Sequence, residues 1–426
     1  MRGRRTRRVT GVLAASALAL TGVAACSGDD GQVVVNLYGG TSAAGFEDII
    51  AACNERADGA YRIEGRLLPS DADGQREQLV RRLAAGDDGM DLIGMDVTWT
   101  AEFAEAGWIE PVPEAVAAEG TEDTLQPTID TAMWDGTLYG LPKHTNVQLL
   151  WYRKSLVPDP PTTWQEMYDQ AAELKEAGEP YQIGFTGARY EGLVVGFNTI
   201  LASAGGTLLN EESTEPTVDE RTVEALGILR DLASSGVASR SLSNSQEPEV
   251  FADLQAGRAA FAINWPYVLG AMRTAGESDP DSAAIADDLG WAVLPSTSED
   301  AEPRATLGGM NFAVSSHSEH QDEAWEAALC LRDRDHQLAH AKVAGEPPTL
   351  ESLYQEPEFQ EVFPQWEEML AELEQAVPRP VTPLYQNIST IVSSTLSPPS
   401  AIDPEQTART LEQEIQDAID GKGILP

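Results

Sequence analysis

The β-rich segments QVVVNLYGG (residues 32–40), YRIEGRLLP (61–69) and MDLIGMDV (90–97) alternate with two helix-forming segments. The first helix is predicted around residues 45–57, and the second from the amphipathic stretch DGQREQLVRRLAAG (73–86). This alternation is typical of βαβ units, in which helices cover a mainly parallel sheet. The beginning of the chain therefore predicts an α/β domain.

The same alternation returns further along and predicts a second α/β lobe. Its segments are TWQEMYDQAAELKEAG (163–178), YQIGFTG (181–187), TVEALGILRDLASSG (222–236), EPEVFADLQAGRAAFAINWPY (247–267) and GWAVLP (290–295). From EHQDEAWEAALCLRD (319–333) onward the pattern is mostly helical. A chain of 426 residues is too long for one ordinary core, and no long Pro/Ser linker separates the lobes. Several short crossings between the lobes are therefore expected.

The first 26 residues predict an export signal. MRGRRTRR (1–8) is basic, and the apolar stretch GVLAASALALTGVAAC (11–26) is shorter than the ~20 residues that span a bilayer. The end of this stretch, Val23-Ala24-Ala25-Cys26, resembles a bacterial lipobox, which implies an acylated Cys26. An ordinary cleavage site with an incidental Cys26 is the alternative. Both interpretations place the protein outside the cytoplasm.

The charge and the cysteine count exclude several kinds of site. Lys and Arg number 28 against 69 Asp and Glu, and the net charge of −41 repels nucleic acid. The same charge does not decide between a neutral and a cationic ligand, because most acidic residues only solvate a surface. Three cysteines and five histidines supply no CxxC or HExxH spacing, so neither a metal nor another cofactor is predicted.

Several further motifs carry a family resemblance that covers nearly the whole chain after Cys26. They are LAAGDDGMDLIGMDVTWTAEFAEAGWIEPV (83–112), LYGLPKHTNVQLLWYRKSLV (138–157), PPTTWQEMYDQAAELK (160–175), FADLQAGRAAFAINWPY (251–267), LGGMNFAVSS (307–316) and AWEAALCLRD (324–333). With the lipobox, and in this order, they resemble the solute-binding lipoproteins of ABC sugar importers, extracellular solute-binding protein family 1.

The resemblance implies a two-lobed α/β fold of the type II periplasmic-binding-protein kind. Three hinge crossings would join the lobes near residues 141–148, 304–309 and 378–383. The implied division is a signal peptide at 1–25, a first lobe at 26–141 plus 309–377, and a second lobe at 142–308 plus 378–426. Such a protein binds its ligand in the cleft between the lobes without converting it.

Sugar binding requires carboxylates or amides for the hydroxyls and an aromatic face for the ring, and three residues fit these roles. Asp96 follows a predicted strand, at the end where α/β sheets place ligand groups. Trp265 lies before Pro266, where its strand should end, and NWPY resembles the sugar-stacking motif of the family. Asn146 lies in the first crossing, where the family carries Asp or Asn. The alternatives are a helix N-cap for Asp96, a core position for Trp265 and a structural hinge amide for Asn146.

Five further residues are candidates for ligand contact. Gly308 and Gly309 match the place where the family's backbone approaches the sugar, although a plain hinge turn also explains them. Arg379 resembles a ligand-contacting arginine of trehalose binders, with a rim salt bridge as the alternative. Glu247 is either a cleft acid or a first-turn acid of its helix. Thr41 follows the first strand.

The resemblance also indicates a ligand and partners. NWPY and PRPVTPLY (378–385), with the Asp96 motif, resemble the trehalose-binding lipoproteins of actinobacteria, so trehalose is the expected disaccharide. His144, in place of an aromatic ring after Pro142-Lys143, departs from that pattern. Maltose or another oligosaccharide is the alternative ligand. The implied partners are an ABC permease and the membrane, through the lipid on Cys26, and the protein is expected to be a monomer.

Two interpretations remain open beside this one. An extracellular glycoside hydrolase could place two of the carboxylates about 5–5.5 Å or 6.5–9.5 Å apart, a geometry that the sequence does not exclude. Cys53 lies on the buried stripe of its predicted helix and is either a plain buried thiol or half of a disulfide. The family topology returns the helices of Cys53 and Cys330 to the same lobe, which implies a bond between these two cysteines.

Overall fold

The computed structural model describes residues 32–39, 46–69, 71–210 and 212–422. Cys26 and Thr41 therefore lie outside the described residues. The strands are β1 (Val33–Gly39), β2 (Tyr61–Leu67), β3 (Leu92–Asp96), β4 (Met133–Trp134), β5 (Thr137–Leu138), β6 (Leu141–Asn146), β7 (Leu149–Arg153), β8 (Gln182–Gly184), β9 (Ala259–Asn264), β10 (Leu289–Ala292) and β11 (Gly308–Val314).

Helices make up most of the remaining described chain. They are α1 (Phe46–Arg56), α2 (Ala72–Ala84), α3 (Thr100–Glu105), α4 (Glu114–Gly120), α5 (Gln126–Thr131), α6 (Trp164–Ala177), α7 (Glu191–Ser203), α8 (Glu220–Ser234), α9 (Glu247–Gln255), α10 (Tyr267–Gly276), α11 (Pro280–Asp288), α12 (Gln321–Leu331), α13 (Arg334–Ala344), α14 (Pro357–Val362), α15 (Trp366–Gln375), α16 (Tyr385–Leu396) and α17 (Pro404–Ile419). None of these helices has both the length and the apolar character that crossing a membrane requires.

Local sequence accounts for the ends and faces of the helices. In α6, the side chain of Thr163 accepts a hydrogen bond from the backbone of Glu166, and the left-handed Gly178 ends the helix. In α1, Phe46, Ile49 and Cys53 are buried, as the predicted stripe requires. All six residues of β9 are buried, which is typical of a strand covered on both faces.

Two larger sheets organise the described part of the fold, and β4 and β5 form a separate two-stranded sheet. The first has the strand order β2-β1-β3-β11-β6 and the second β10-β7-β9-β8. β1 runs parallel to β2 and β3, and β8 runs parallel to β9, but β11 and β7 are antiparallel to both of their neighbours. The three strands from which a mainly parallel sheet was predicted, β1 to β3, are parallel, and one strand in each sheet, β11 in the first and β7 in the second, runs against the others. β7 and β11 are the first strands after the first and second crossings, so neither is reached through the helical return that keeps successive strands parallel.

The α/β class with two lobes is confirmed, and the sheets indicate where the lobes meet. β6 is paired with β11 from Leu141 to Asn146, so a boundary after residue 141 would divide a strand of the first sheet. Met369 and Leu373 of α15 pack in the core of the second sheet, together with residues of β7 and β9. We therefore propose boundaries after Asn146 and before α15, instead of at residues 141 and 377.

A disulfide joins α1 to α12. Cys53 and Cys330 are bonded, with their Cα atoms 5.9 Å apart, and both are buried in the core beneath the first sheet. This pairing is the one that the family topology implied.

Candidate functional site

One cavity of about 400 Å³ brings together the predicted residues that the structure describes. This volume lies within the range of ~300–1,000 Å³ for small-molecule sites. The predicted residues that line the cavity are Asp96, Asn146, Glu247, Trp265, Gly308, Gly309 and Arg379. They come from the ends of strands in both sheets, from the start of α9 and from the segment before α16. The cavity therefore lies between the two lobes.

Asp96 is the last residue of β3. Its Oδ1 accepts hydrogen bonds from the Thr98 backbone amide at 3.0 Å and from the Thr98 hydroxyl at 2.8 Å. The N-cap of α3 is Trp99, and its side chain makes no capping bond. Asp96 is thus held by a local turn at the carboxyl end of its strand, and not by the helix that follows.

Trp265 follows the end of β9, and its ring lies beside the first residue of β11. The indole Nε1 donates to Glu247 Oε1 at 3.4 Å, and the Tyr190 hydroxyl donates to Glu247 Oε2 at 2.6 Å. A Cβ added at Gly308 would lie 3.1 Å from two ring carbons of Trp265. Burial and the neighbouring Glu247 carboxylate raise the pKa of Tyr190, so its hydroxyl remains a donor. Glu247 therefore orients two aromatic side chains in the cleft wall.

Gly309 has a backbone conformation that requires glycine. Its φ is +128°, and an added Cβ would lie 2.4 Å from the carbonyl oxygen of His144 on the paired strand β6. Asn146 lies opposite Gly308 at the end of β6. The Oδ1 atom of Asn146 is buried and has no hydrogen-bond partner within the described residues.

Arg379 is held almost fully inside the protein, with 5% of its surface exposed. Its Nη1 donates to Glu191 Oε1 at 2.5 Å, and its Nη2 lies 3.6 Å from Asp96 Oδ1. The Nε atom is buried and, in the part of the chain that the structure describes, has no partner. Burial raises the pKa of Glu191, whereas Arg379 and the hydroxyls of Ser389 and Tyr385 act in the opposite direction. Arg379 is therefore a buried ion-pair partner, and its residue forms part of the cavity wall.

Sequence reasoning missed several residues of the cavity wall. Glu346, in the segment after α13, accepts from His340 Nε2 at 2.6 Å and lies 3.2 Å from His144 Nδ1. Tyr190, Glu191 and Asp71 also line the cavity. No sequence motif predicts that Glu346 lines the cavity, because its partners lie in β6 and α13 and only the tertiary fold brings them together. His144, which departs from the family pattern, was the one available signal.

Among the described residues, two groups of side chains have the atom spacing of a metal site: Cys53 with Cys330 and His336, and His144 with His340 and Glu346. In the first group both sulfurs are bonded to each other. In the second, Lys143 Nζ lies 3.3 Å from His144 Nδ1 and 3.4 Å from His340 Nε2. Burial lowers the pKa of His144 to about 3, so this imidazole is neutral beside the lysine. The Lys143 ammonium group thus lies beside the imidazole nitrogens that would have to bind a metal ion, and its positive charge opposes a cation there.

Comparison with known proteins identifies the kind of molecule. Residues 41–328 match the family described as bacterial extracellular solute-binding proteins. A probable ABC transporter-binding protein of Deinococcus radiodurans is 27% identical over 403 residues, which are 89% of this chain and 92% of the relative.

Solved structures give the same result. The maltose-bound T. maritima MalE3 has a TM-score of 0.80 and 26% identity, over 90% of this chain and 99% of that one. A solute-binding protein of Thermotoga lettingae, bound with α-D-tagatose, has a TM-score of 0.79 and 25% identity, over 91% of this chain and all of that one. These likenesses confirm the type II periplasmic-binding-protein fold, and the matched proteins are binding proteins and not enzymes. The match over 41–328, more than half of the sequence, and the shared fold show that this chain belongs to the bacterial extracellular solute-binding proteins.

Proposed function

We propose that the cleft captures a disaccharide, with trehalose preferred, for delivery to an ABC permease. One observation carries the proposal: Asn146 Oδ1 and Arg379 Nε are buried and have no hydrogen-bond partner among the described residues, and both residues line the cavity together with Trp265. A buried polar atom without a partner costs about 1–3 kcal/mol. A sugar hydroxyl both donates and accepts, so it can satisfy the acceptor of Asn146 and the donor of Arg379.

The remaining wall supports the same ligand class. Trp265 offers an apolar face for a pyranose ring, and Asp96 and Glu247 offer carboxylate oxygens for hydroxyl groups. The T. maritima neighbour was solved with maltose, so a maltose-type ligand is the alternative to trehalose. The resemblance of NWPY and PRPVTPLY to trehalose binders is what favours trehalose.

Calorimetric titration with trehalose, maltose and glucose tests the proposal. We expect Trp265→Ala and Asp96→Asn each to weaken disaccharide binding at least tenfold, about 1.4 kcal/mol. The melting temperature of the ligand-free protein should change little. Trp134→Ala is the matched control, because Trp134 is a partly buried tryptophan outside the cavity. Undiminished binding by both cleft variants would refute the site, whereas binding of maltose alone would refute only trehalose.

We also propose that Cys26 is acylated and anchors the protein to the outer face of the cell membrane, where a monomer would meet the permease. Cys26 lies outside the described residues, so the support is the basic start, the short apolar stretch and the VAAC motif. Cys26→Ala should move the protein from the membrane fraction to the medium. Mass spectrometry of the wild type should detect the lipid. A wild-type protein without lipid would contradict the anchor.

A further inference from the structure

Glu346 is a carboxylate held at a fixed place in the cleft wall. His340 Nε2 lies 2.6 Å and His144 Nδ1 lies 3.2 Å from its Oε2 atom. About a third of the side chain, 33%, remains exposed, and the residue lines the cavity. Burial alone would raise the pKa of Glu346, but His144, His340 and Lys143 together lower it well below its usual range. The group is therefore a stationary negative charge.

The charged groups around the cavity are mostly of one sign. Its lining contains the carboxylates of Asp71, Asp96, Glu191, Glu247 and Glu346 and one guanidinium, that of Arg379. The guanidinium is paired with Glu191 at 2.5 Å. Lys143, whose Nζ lies 3.3 Å from His144 Nδ1 and 3.4 Å from His340 Nε2, is not among the residues that line the cavity.

These observations bear on the ligand charge that the net charge of the whole chain could not decide. A hydroxyl group can donate to a carboxylate in the wall, and an ammonium group would be attracted by it. A phosphate or carboxylate on the ligand would meet several fixed negative charges and no unpaired cation in the described wall. A binding site that places its own charges against a ligand group of the same sign rejects that ligand effectively.

We propose that Glu346 is a specificity-determining residue that makes the cleft reject anionic carbohydrates, such as sugar phosphates and uronic acids, while it admits neutral ones. This proposal rests on the proposed sugar-binding function. The selection works by electrostatic repulsion. The carboxylate need not contact the preferred sugar, because its effect is to oppose any anionic group that enters the cavity. Glu247, on the opposite lobe, adds to the same effect.

The matched pair trehalose and trehalose 6-phosphate tests the proposal by calorimetry at a pH where the phosphate is a dianion. If trehalose does not bind, maltose and maltose 6′-phosphate replace the pair. We expect wild type to bind the phosphate at least 100-fold more weakly than the neutral sugar. Glu346→Gln keeps the size and the acceptor oxygen of the side chain but removes its charge, and should reduce this ratio at least tenfold. Glu412→Gln, an exposed site on α17, changes the net charge equally and should leave the ratio as it is.

The outcomes separate the two proposals. If no neutral sugar binds, the proposed function fails. If the neutral sugar binds and the phosphate binds within threefold of it, the function stands and the charge selection is refuted. If wild type rejects the phosphate but Glu346→Gln and Glu412→Gln behave alike, selection exists and Glu346 is not its source. Should Glu346→Gln fail to fold, Glu346→Ala and Glu346→Asp decide the same question: the alanine variant, which loses the charge, should reduce the ratio, and the aspartate variant, which keeps it, should not.

Discussion

Single residues in the cleft depend on neighbours that are distant in the sequence. Gly308 leaves space for the ring of Trp265, and Gly309 approaches the backbone of His144. The sequence shows two adjacent glycines, which suit both a plain turn and a ligand contact. Their distinct tasks appear only when β11 is paired with β6 and the end of β9 lies beside it.

We predict that Gly309→Ala destabilises the protein by about 2 kcal/mol or more, because a φ of +128° is strained for alanine and the new Cβ meets a carbonyl oxygen. Gly270→Ala is the control. Gly270 lies in α10 with nothing within 4 Å of an added Cβ, so alanine there should stabilise by about 0.5–1 kcal/mol. Urea unfolding of both variants measures the difference. Equal stability of the two would contradict the strain.

At the scale of elements, α15 docks on the second lobe through a buried acid. Glu372 is 3% exposed, and its Oε1 accepts from the Leu294 backbone amide at 2.7 Å. Burial raises its pKa from 4.5 to about 7, against the opposing effects of the Leu294 hydrogen bond and Arg304. Between these two values the folded protein keeps a proton that the unfolded chain has released. The free energy of unfolding therefore falls as pH rises through this window.

We predict that ionisation of Glu372 lowers the free energy of unfolding by roughly 3 kcal/mol as the pH rises from 4.5 to above 7. Glu372→Gln cannot ionise and keeps an acceptor for Leu294, so its advantage over wild type should grow with pH across the window. Glu367→Gln, exposed on the same helix, is the control. Urea unfolding at pH 4.5, 6 and 8 provides the comparison. A difference between variant and wild type that does not change with pH would contradict the assignment.

At the scale of the whole molecule, one covalent bond connects the beginning of the described chain to its last third. The disulfide between Cys53 and Cys330 spans 277 residues, and it ties α1 to α12 beneath the first sheet. The second lobe lies entirely between or after the bonded cysteines. The bond therefore closes a loop that contains two of the crossings and most of the second core.

Replacing both cysteines by alanine should destabilise the protein by about 2–5 kcal/mol, because the unfolded chain loses its longest covalent constraint. Urea unfolding of the variant is compared with that of wild type in the presence and absence of a reductant. The reductant should shift the transition of wild type toward that of the variant and leave the variant unchanged. Thiol counting on denatured, unreduced wild type supplies an independent check. Two free thiols from this pair would rule out the bond in solution.

The sequence by itself determined the features that depend on a few neighbouring residues. Each of these features is encoded in a short segment of the chain. They are the apolar pattern of β1 to β3, the threonine cap and glycine end of α6, and the buried stripe of α1. The order of the motifs also indicated the family and the seven described cleft residues that one cavity collects. These signals are local, or repeated along the chain, and so survive without coordinates.

Only the tertiary structure decided the direction of the strands next to the crossings, the placing of α15 and the electrostatics of the cleft. Glu346 acquires its role from His144 in β6 and His340 in α13. Arg379 forms an ion pair with Glu191, 188 residues away, and its Nε has no partner among the described residues. The reason is physical. Burial, ion pairing and the electrostatic field at a site depend on all the groups that lie close together in space, and many of these groups are far apart in the sequence.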